Sequence, residues 1–239
     1  MAKSKTPIAL EAYELLAERY SERAEDKAEN GYIEHPAMRA LIGQVSELKV
    51  LEAGCGPGFL ASHLIAGGAT VTAFDVSPAM LELCRKRTRG KALLFLADMA
   101  NKLEFIHDAE FDIVVSSLAI DYIEDWTTPM REFYRALVPG GRFIFSVQHP
   151  LSAYLCYQPP AAIGVHQVKA TWTGFGGDPV TVPDYYRSFE EIVNPILAAG
   201  FILKTIKETR PVDALKERDP IRYERFSKIP LFMCIEAQK

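Results

Sequence analysis

The sequence predicts a doubly wound α/β domain built around a mainly parallel sheet. Short apolar or β-branched runs alternate with longer segments of three- and four-residue apolar spacing, which is the pattern of βαβ units. One of these runs, KVLEAGCGPGFLASHL from Lys49 to Leu64, breaks at Gly54, Gly56 and Gly58 and resumes as a helical stripe. Two later strand-like runs end in a carboxylate, at Asp75 and Asp98.

The elements follow in order. Ile8 to Lys27 carries Leu10, Tyr13, Leu16, Ala17 and Tyr20 on one helical face, with Asn30-Gly31 as the expected stop. A short helix from Pro36 through Leu41 comes next, proline being tolerated in a first turn. Strands are then expected at 48–52, 70–75, 92–97, 111–116 and 142–147, and helices at 58–66, 78–87 and 128–137. The basic run Arg85-Lys86-Arg87-Thr88-Arg89 reads as a solvated helix end that complements the helix dipole. From Gln148 to Arg187 the pattern dissolves into prolines and aromatics, among them Tyr157, Trp172 and Phe175, and a long functional loop is expected. A helix at 189–199 closed by Gly200, a strand at 201–206 and a last strand at 231–237 complete the chain. The expected organisation is a helical cap over 1–45 and one domain over 46–239, with 148–187 as a lid or substrate insertion.

Composition bounds the function. A chain of 239 residues that is 49% hydrophobic can bury a large core. The formal net charge of -4 argues against a nucleic-acid surface, which needs clustered Lys and Arg. The four cysteines, Cys55, Cys84, Cys156 and Cys234, form no C-x-x-C pair, so neither a zinc site nor a disulfide framework is expected. No apolar run approaches the ~20 residues that span a bilayer, and Met1 to Thr6 is too polar for a signal peptide. A cytoplasmic protein without membrane or nucleic-acid partners is the expectation.

Three glycines at a strand-to-helix junction let the backbone turn sharply and meet a ligand without Cβ clashes. The spacing is G-x-G-x-G, and Phe59 occupies the place of the dinucleotide fingerprint's last glycine. Asp75, 21 residues after Gly54, is placed to grip ribose hydroxyls. Asp98, beside the apolar Met99, suits an adenine.

At these residues the chain resembles the class I S-adenosylmethionine-dependent methyltransferases, small-molecule branch, type 11-like. VLEAGCGPG is similar to the family's first motif, VTAFDVSPAM to its second-strand motif, and FLADM to its adenine motif. FDIVVSSLAIDYIEDW and LVPGGRFIFS resemble the fourth-strand and post-motif segments. The resemblance implies a Rossmann-like sheet of seven strands, the last antiparallel. It also implies that Gly54, Cys55 and Gly56 approach the methionine part of S-adenosylmethionine, with Met80 nearby, and that Asp75 holds the ribose. Asp98 would bind the adenine amino group while Val76 and Met99 pack on the ring, and Ser116 and Leu118 would border the sulfonium. Many relatives carry a Y-E-R-P-like segment where this chain has Ile33-Glu34-His35-Pro36. Tyr32 is then the substitute for the missing aromatic, and Tyr13 and Tyr20 are alternatives for the cofactor carboxylate.

Methyl transfer from a sulfonium needs alignment and exclusion of water rather than a nucleophilic side chain. Where the acceptor must lose a proton, His149 after strand five is the first candidate base, and Asp121 and Tyr122 are the next. The expected partner is a small-molecule methyl acceptor on an oxygen, nitrogen or carbon nucleophile, and the expected assembly is a monomer or homodimer. The alternatives are a non-catalytic S-adenosylmethionine-binding protein and a nicotinamide-dependent reductase. The reductase is disfavoured because no tyrosine here has a lysine four positions later.

Overall fold

The computed structural model of the protein describes residues 6–239; residues 1–5, most of the segment whose polarity argues against a signal peptide, lie outside the described residues. In chain order the elements are α1 (Leu10–Arg23), α2 (His35–Ile42), β1 (Lys49–Ala53), α3 (Phe59–Ala66), β2 (Thr70–Asp75), α4 (Pro78–Arg87), β3 (Leu93–Leu96) and β4 (Phe111–Ser117). They continue with α5 (Thr127–Ala136), β5 (Leu137–Gln148), α6 (Pro150–Tyr157), β6 (Val165–Trp172), β7 (Val180–Arg187) and α7 (Phe189–Ala198). The chain closes with β8 (Ile202–Glu208), α8 (Asp213–Arg218), α9 (Pro220–Lys228) and β9 (Phe232–Gln238).

Seven strands form the main sheet in the order β3-β2-β1-β4-β5-β9-β8. Parallel pairing joins Lys49 to Thr70, Val114 to Phe143 and Phe74 to Phe95. β9 runs antiparallel to β5, with Ser146 opposite Cys234. The expected doubly wound, Rossmann-like sheet with an antiparallel last strand is therefore what forms. Its central strands are buried on both faces, as parallel strands covered by helices must be. Alternation sends Leu51, Val114 and Phe143 toward α5 and α7, and Val50, Ile113 and Ile144 toward α2, α3 and α4. Truncating Phe133 in the first of these cores, where it is fully buried against Phe143, would cost about 3–5 kcal/mol.

Several expectations change. The first helix ends at Arg23 and passes through a 3₁₀ turn, Ala24–Asp26. Asn30-Gly31 does not stop a helix; it opens a π-helical turn, Asn30–Glu34, that runs directly into α2. Glycine is required at position 31 because a Cβ there would lie 1.8 Å from the Glu25 carbonyl oxygen. Arg87 is not a solvated helix end: it stacks on Phe59 at 3.8 Å and donates to the carbonyls of Pro57 and Ser21.

The segment expected to be an irregular loop, 148–187, is a helix followed by an antiparallel hairpin, with Val168 opposite Asp184 and Trp172 opposite Val180. The prolines mislead because Pro183 sits in a two-stranded ribbon, where a missing N–H can face outward. The helices α8 and α9 were also unexpected; Asp219 accepts from Arg222 N and Pro220 occupies the first turn, so both start signals were present.

Candidate active site

The carboxyl ends of β1, β2, β3 and β4 surround a cavity beneath α1 and the π-turn. Gly54 N and Cys55 N donate to the Phe74 carbonyl at 2.9 and 3.0 Å, which ties the glycine turn to β2. Gly54, at φ +72°, is bare because Ala119 Cβ would lie 2.3 Å from a side chain there. Gly56, at φ +50°, has nothing within 4 Å of that position, so its backbone is the part of the turn open to a ligand. Asp75 anchors the turn: Oδ2 accepts from Gly56 N at 2.8 Å and Oδ1 from Ser77 N at 2.9 Å. Each oxygen keeps a second lone pair for a ligand hydroxyl. Ser77 caps α4 by accepting from Met80 N, and its hydroxyl in turn donates to Glu14 of α1.

Asp98 folds into an Asx turn, accepting from Ala100 N at 2.9 Å and Asn101 Nδ2 at 3.2 Å, and lines the cavity with Val76, Met80 and Met99. Glu52 is 2% exposed on β1, its Oε2 has no partner, and burial holds its carboxyl well above the usual range. A site with a bare glycine backbone, two carboxylates at strand ends and apolar walls fits a nucleoside with a zwitterionic tail.

The β4 end departs from expectation. Ser116 is fully buried with its Oγ unpartnered and lies outside the cavity lining, while Ser117 and Leu118 reach it. The cause is strand alternation followed by a reversal at Leu118, which adopts φ +47°. That strained residue is held by Ser146, whose Oγ accepts from Leu118 N at 3.0 Å. Ser146 Oγ and Ser117 Oγ both donate to Oε1 of Glu34, at 2.5 and 2.7 Å. Glu34 is fully buried, and burial raises its pKa. A single carboxylate on the π-turn thus pins the ends of β4 and β5, a role that the sequence, where Glu34 stands only within Ile33-Glu34-His35-Pro36, did not disclose.

The same turn decides the fate of Tyr32. Two positions from both Asn30 and Glu34, it faces the other way, packing near Phe226 and accepting from Arg218 Nη1 at 2.6 Å. Tyr32 therefore lies outside the cavity. Tyr13 and Tyr20 line it. Burial raises the pKa of both phenols, so they stay protonated at neutral pH.

A second cavity of about 750 Å³ opens beside the first. The two share Tyr13, Tyr20, Asn30, Leu118 and Tyr122. Trp172 and Phe175 of the hairpin region form its roof: Trp172 packs edge-on to Tyr13 at 5.8 Å and stacks on Tyr20 at 6.2 Å. Its floor holds Asp121, Gln148, Tyr157 and Asp184. Gln148 N donates to Asp121 Oδ2 at 2.9 Å, and Gln148 Nε2 donates to Asp184 Oδ2 at 2.5 Å. Burial raises both carboxyls, Asp184 to about 6 and Asp121 well above its ordinary value with the Asp184 charge adding to the effect. Asp184 was legible only as a carboxylate on the otherwise buried face of Val182 and Tyr186.

His149, the first candidate base, lines neither cavity. Its Nδ1 accepts from Leu151 N to cap α6, and its Nε2 lies 3.2 Å from Glu208 Oε1 on β8. The next candidates, Asp121 and Tyr122, do line the second cavity. Among the described residues no group of three His, Cys, Asp or Glu is placed to hold a metal ion, and no helix is long and apolar enough to cross a membrane.

Comparison with known proteins agrees with this geometry. Residues 51–145 match the family described as a methyltransferase domain. A malonyl-[acyl-carrier protein] O-methyltransferase of Erwinia billingiae is 31% identical over 156 residues, covering 61% of this chain and 55% of its own. A demethylmenaquinone methyltransferase of Chlorobaculum tepidum is 38% identical over 106 residues, 44% of this chain and 42% of its own. The chain spans about half the length of these curated relatives. The crystal structure of an S-adenosylmethionine dependent methyltransferase from Mesorhizobium loti superposes with a TM-score of 0.70 at 25% identity, covering 90% of this chain and 99% of that one.

Proposed function

Because residues 51–145 are a methyltransferase domain of the S-adenosylmethionine-dependent class, we propose that the whole chain transfers a methyl group from S-adenosylmethionine to a small-molecule acceptor by in-line displacement. The observation that carries this is the pair of adjoining cavities, one on the strand ends and one under the hairpin, meeting at Leu118, Tyr13 and Tyr122. The cofactor, when bound, supplies an electrophilic methyl group on a sulfonium.

The chain's own residues bind, orient and exclude water. Gly54, Cys55 and Gly56 would receive the amino-acid part, with Tyr20 in reach of its carboxylate. Asp75 would hold the ribose, and Asp98 the adenine amino group between Val76, Met80 and Met99. Ser117 and Leu118 would border the sulfonium, in place of Ser116 and Leu118. The described residues of the 1–45 cap, 6–45, act in this proposal as a cover over the cofactor, and 148–187 as the substrate insertion within the 46–239 domain. Placing the acceptor beside the cofactor supplies the alignment on which displacement depends.

Calorimetry tests this directly. S-adenosylhomocysteine should saturate the protein and NADH should not. Tight binding of NADH with none of S-adenosylhomocysteine would restore the reductase alternative. Cofactor binding without methyl incorporation into any metabolite fraction would leave a non-catalytic binding protein.

A further inference from the structure

The second cavity differs in character from the first. Its floor carries two carboxylates with no cationic side chain in hydrogen-bond contact. Asp121 is 5% and Asp184 3% exposed. Asp184 is well supplied: Oδ1 accepts from Tyr185 N at 2.8 Å, and Oδ2 from Gln148 Nε2 at 2.5 Å and Tyr157 Oη at 3.3 Å. Asp121 is not. Gln148 N to Oδ2 is the one hydrogen bond its side chain makes among the described residues. Asp121 lines the cavity, so its other oxygen can meet a ligand's polar hydrogen.

No cation nearby bonds to either carboxyl. Arg187 of β7 is near enough for its charge to hold both down in part, but its Nη2 donates to the carbonyls of Ile123 and Glu124 and its guanidinium stacks on Trp126 at 4.5 Å. At the rim, Lys27 donates to Thr173 O and covers the Phe175 ring, Arg218 pairs with Asp26, and Arg222 pairs with Glu29 and Asp219. Arg23 also stands in the lining, where it packs over Gly176 and pairs with no carboxylate among the described residues.

The walls independently favour the same ligand charge. Tyr13, Tyr20, Tyr122 and Trp172 present rings to the cavity at mutual centroid distances of 5.5 to 6.2 Å. Aromatic faces attract a desolvated cation, and several rings around one space are the usual receptor for an ammonium group. An anionic acceptor would meet two carboxylates and the negative faces of rings, with no free cation on the floor.

We infer that the acceptor is a cationic amine, its ammonium seated between Asp121 and Asp184 under the aromatic roof formed by Tyr13, Tyr20 and Trp172. The inference rests on the methyl-transfer reading and narrows its acceptor to nitrogen. Burial and the repulsion between the two carboxyls oppose ionisation of both at once, so the pair carries about one negative charge. An ammonium docked there gives one N–H proton to the ionised member of the pair: the N–H bond breaks, an O–H bond forms, and the electron pair stays on nitrogen. The nitrogen is then a neutral nucleophile facing the shared wall at Leu118 and Tyr122.

The test uses three probes of one shape: tryptamine, indole-3-propionate and tryptophol, which present an ammonium, a carboxylate and a hydroxyl on the same ring system. Each is titrated by calorimetry into the full-length protein, both free and saturated with S-adenosylhomocysteine. Tryptamine should bind at least about ten-fold more tightly than the other two. Asp121→Asn and Asp184→Asn, checked for folding by their melting temperatures and for cofactor-site integrity by S-adenosylhomocysteine affinity, should each bring that ratio close to one. Equal or tighter binding of the carboxylate or the alcohol, no binding of tryptamine up to its solubility, or a preference that survives both substitutions would overturn the inference. Failure of S-adenosylhomocysteine to bind would instead overturn the methyl-transfer reading, and the preference measured on the free protein would still decide this one.

Discussion

The hydroxyls of Tyr13 and Tyr122 lie 2.7 Å apart, joining the N-terminal helix to the loop after β4 at the boundary between the two cavities. Their rings meet edge to face at 5.5 Å. Burial raises the pKa of both phenols, so the bond is between two neutral hydroxyls, one donating and one accepting.

Removing either hydroxyl strands the other in the interior. Tyr13→Phe and Tyr122→Phe should each cost about 1–3 kcal/mol in denaturant unfolding, and the double variant should cost clearly less than their sum. Strict additivity would show that the two phenols do not form the bond that closes this boundary.

Asp75 positions the glycine turn through Gly56 N, and the proposed function places a ribose on the same carboxylate. Asp75→Ala should weaken S-adenosylhomocysteine binding by about 1.5–3 kcal/mol, or roughly ten- to more than a hundred-fold. A folded variant with unchanged affinity would put the ribose elsewhere.

Glu34 holds Ser117 and Ser146, and through Ser146 the strained Leu118. Glu34→Ala leaves two buried hydroxyls short of an acceptor and should lower stability by about 1–3 kcal/mol. Because Leu118 can then relax from positive φ, cofactor affinity should fall as well; Glu34→Gln, which keeps an acceptor, should restore most of both. If the glutamine variant is as damaged as the alanine one, the charge rather than the bond is what the site needs.

His35, beside Phe59 in the first cavity, is held down to about 4, first by burial and then by Arg39 and Arg87. Unfolded histidine titrates at roughly 6.5. The unfolded chain therefore binds the proton first, so the contribution of neutral His35 is complete above pH ~6.5 and is lost as pH falls toward 4. The buried carboxyls of Glu34, Glu52 and Asp121 have raised pKa values and act in the opposite direction, so the effect is read as a difference from a variant. Between pH 6.5 and 4 the wild type should lose up to about 3 kcal/mol relative to His35→Gln. Parallel stability profiles for the two proteins would show that His35 is protonated in the fold.

Trp172 touches Tyr13 and Tyr20 in the second cavity and does not line the first. Trp172→Ala should impair acceptor kinetics while S-adenosylhomocysteine affinity stays within about three-fold, since truncating a buried aromatic commonly costs a few kcal/mol at its own contacts. A lowered melting temperature with unchanged acceptor kinetics would make the ring a strut for the hairpin.

The sequence by itself determined the sheet, its order of strands and helices, and the three strand ends at Gly54, Asp75 and Asp98. Those features are local: a strand, a turn and a helix start within a dozen residues, and hydrophobic period and turn chemistry are written in consecutive positions. The hairpin was also written in the alternation of Val180, Val182 and Tyr186, and only its prolines and glycines obscured it. What the tertiary structure alone decided lies in pairs far apart in the chain. Glu34 meets Ser146 across 112 positions, and Gln148 brings Asp184 to within one residue of Asp121 across 36. Tyr32 and His149 stood in the right places along the chain and were turned away, one by the phase of a π-turn and the other by the cap of α6. A side chain's direction depends on helix phase and on which distant surface covers it, and neither quantity is carried by spacing along the chain.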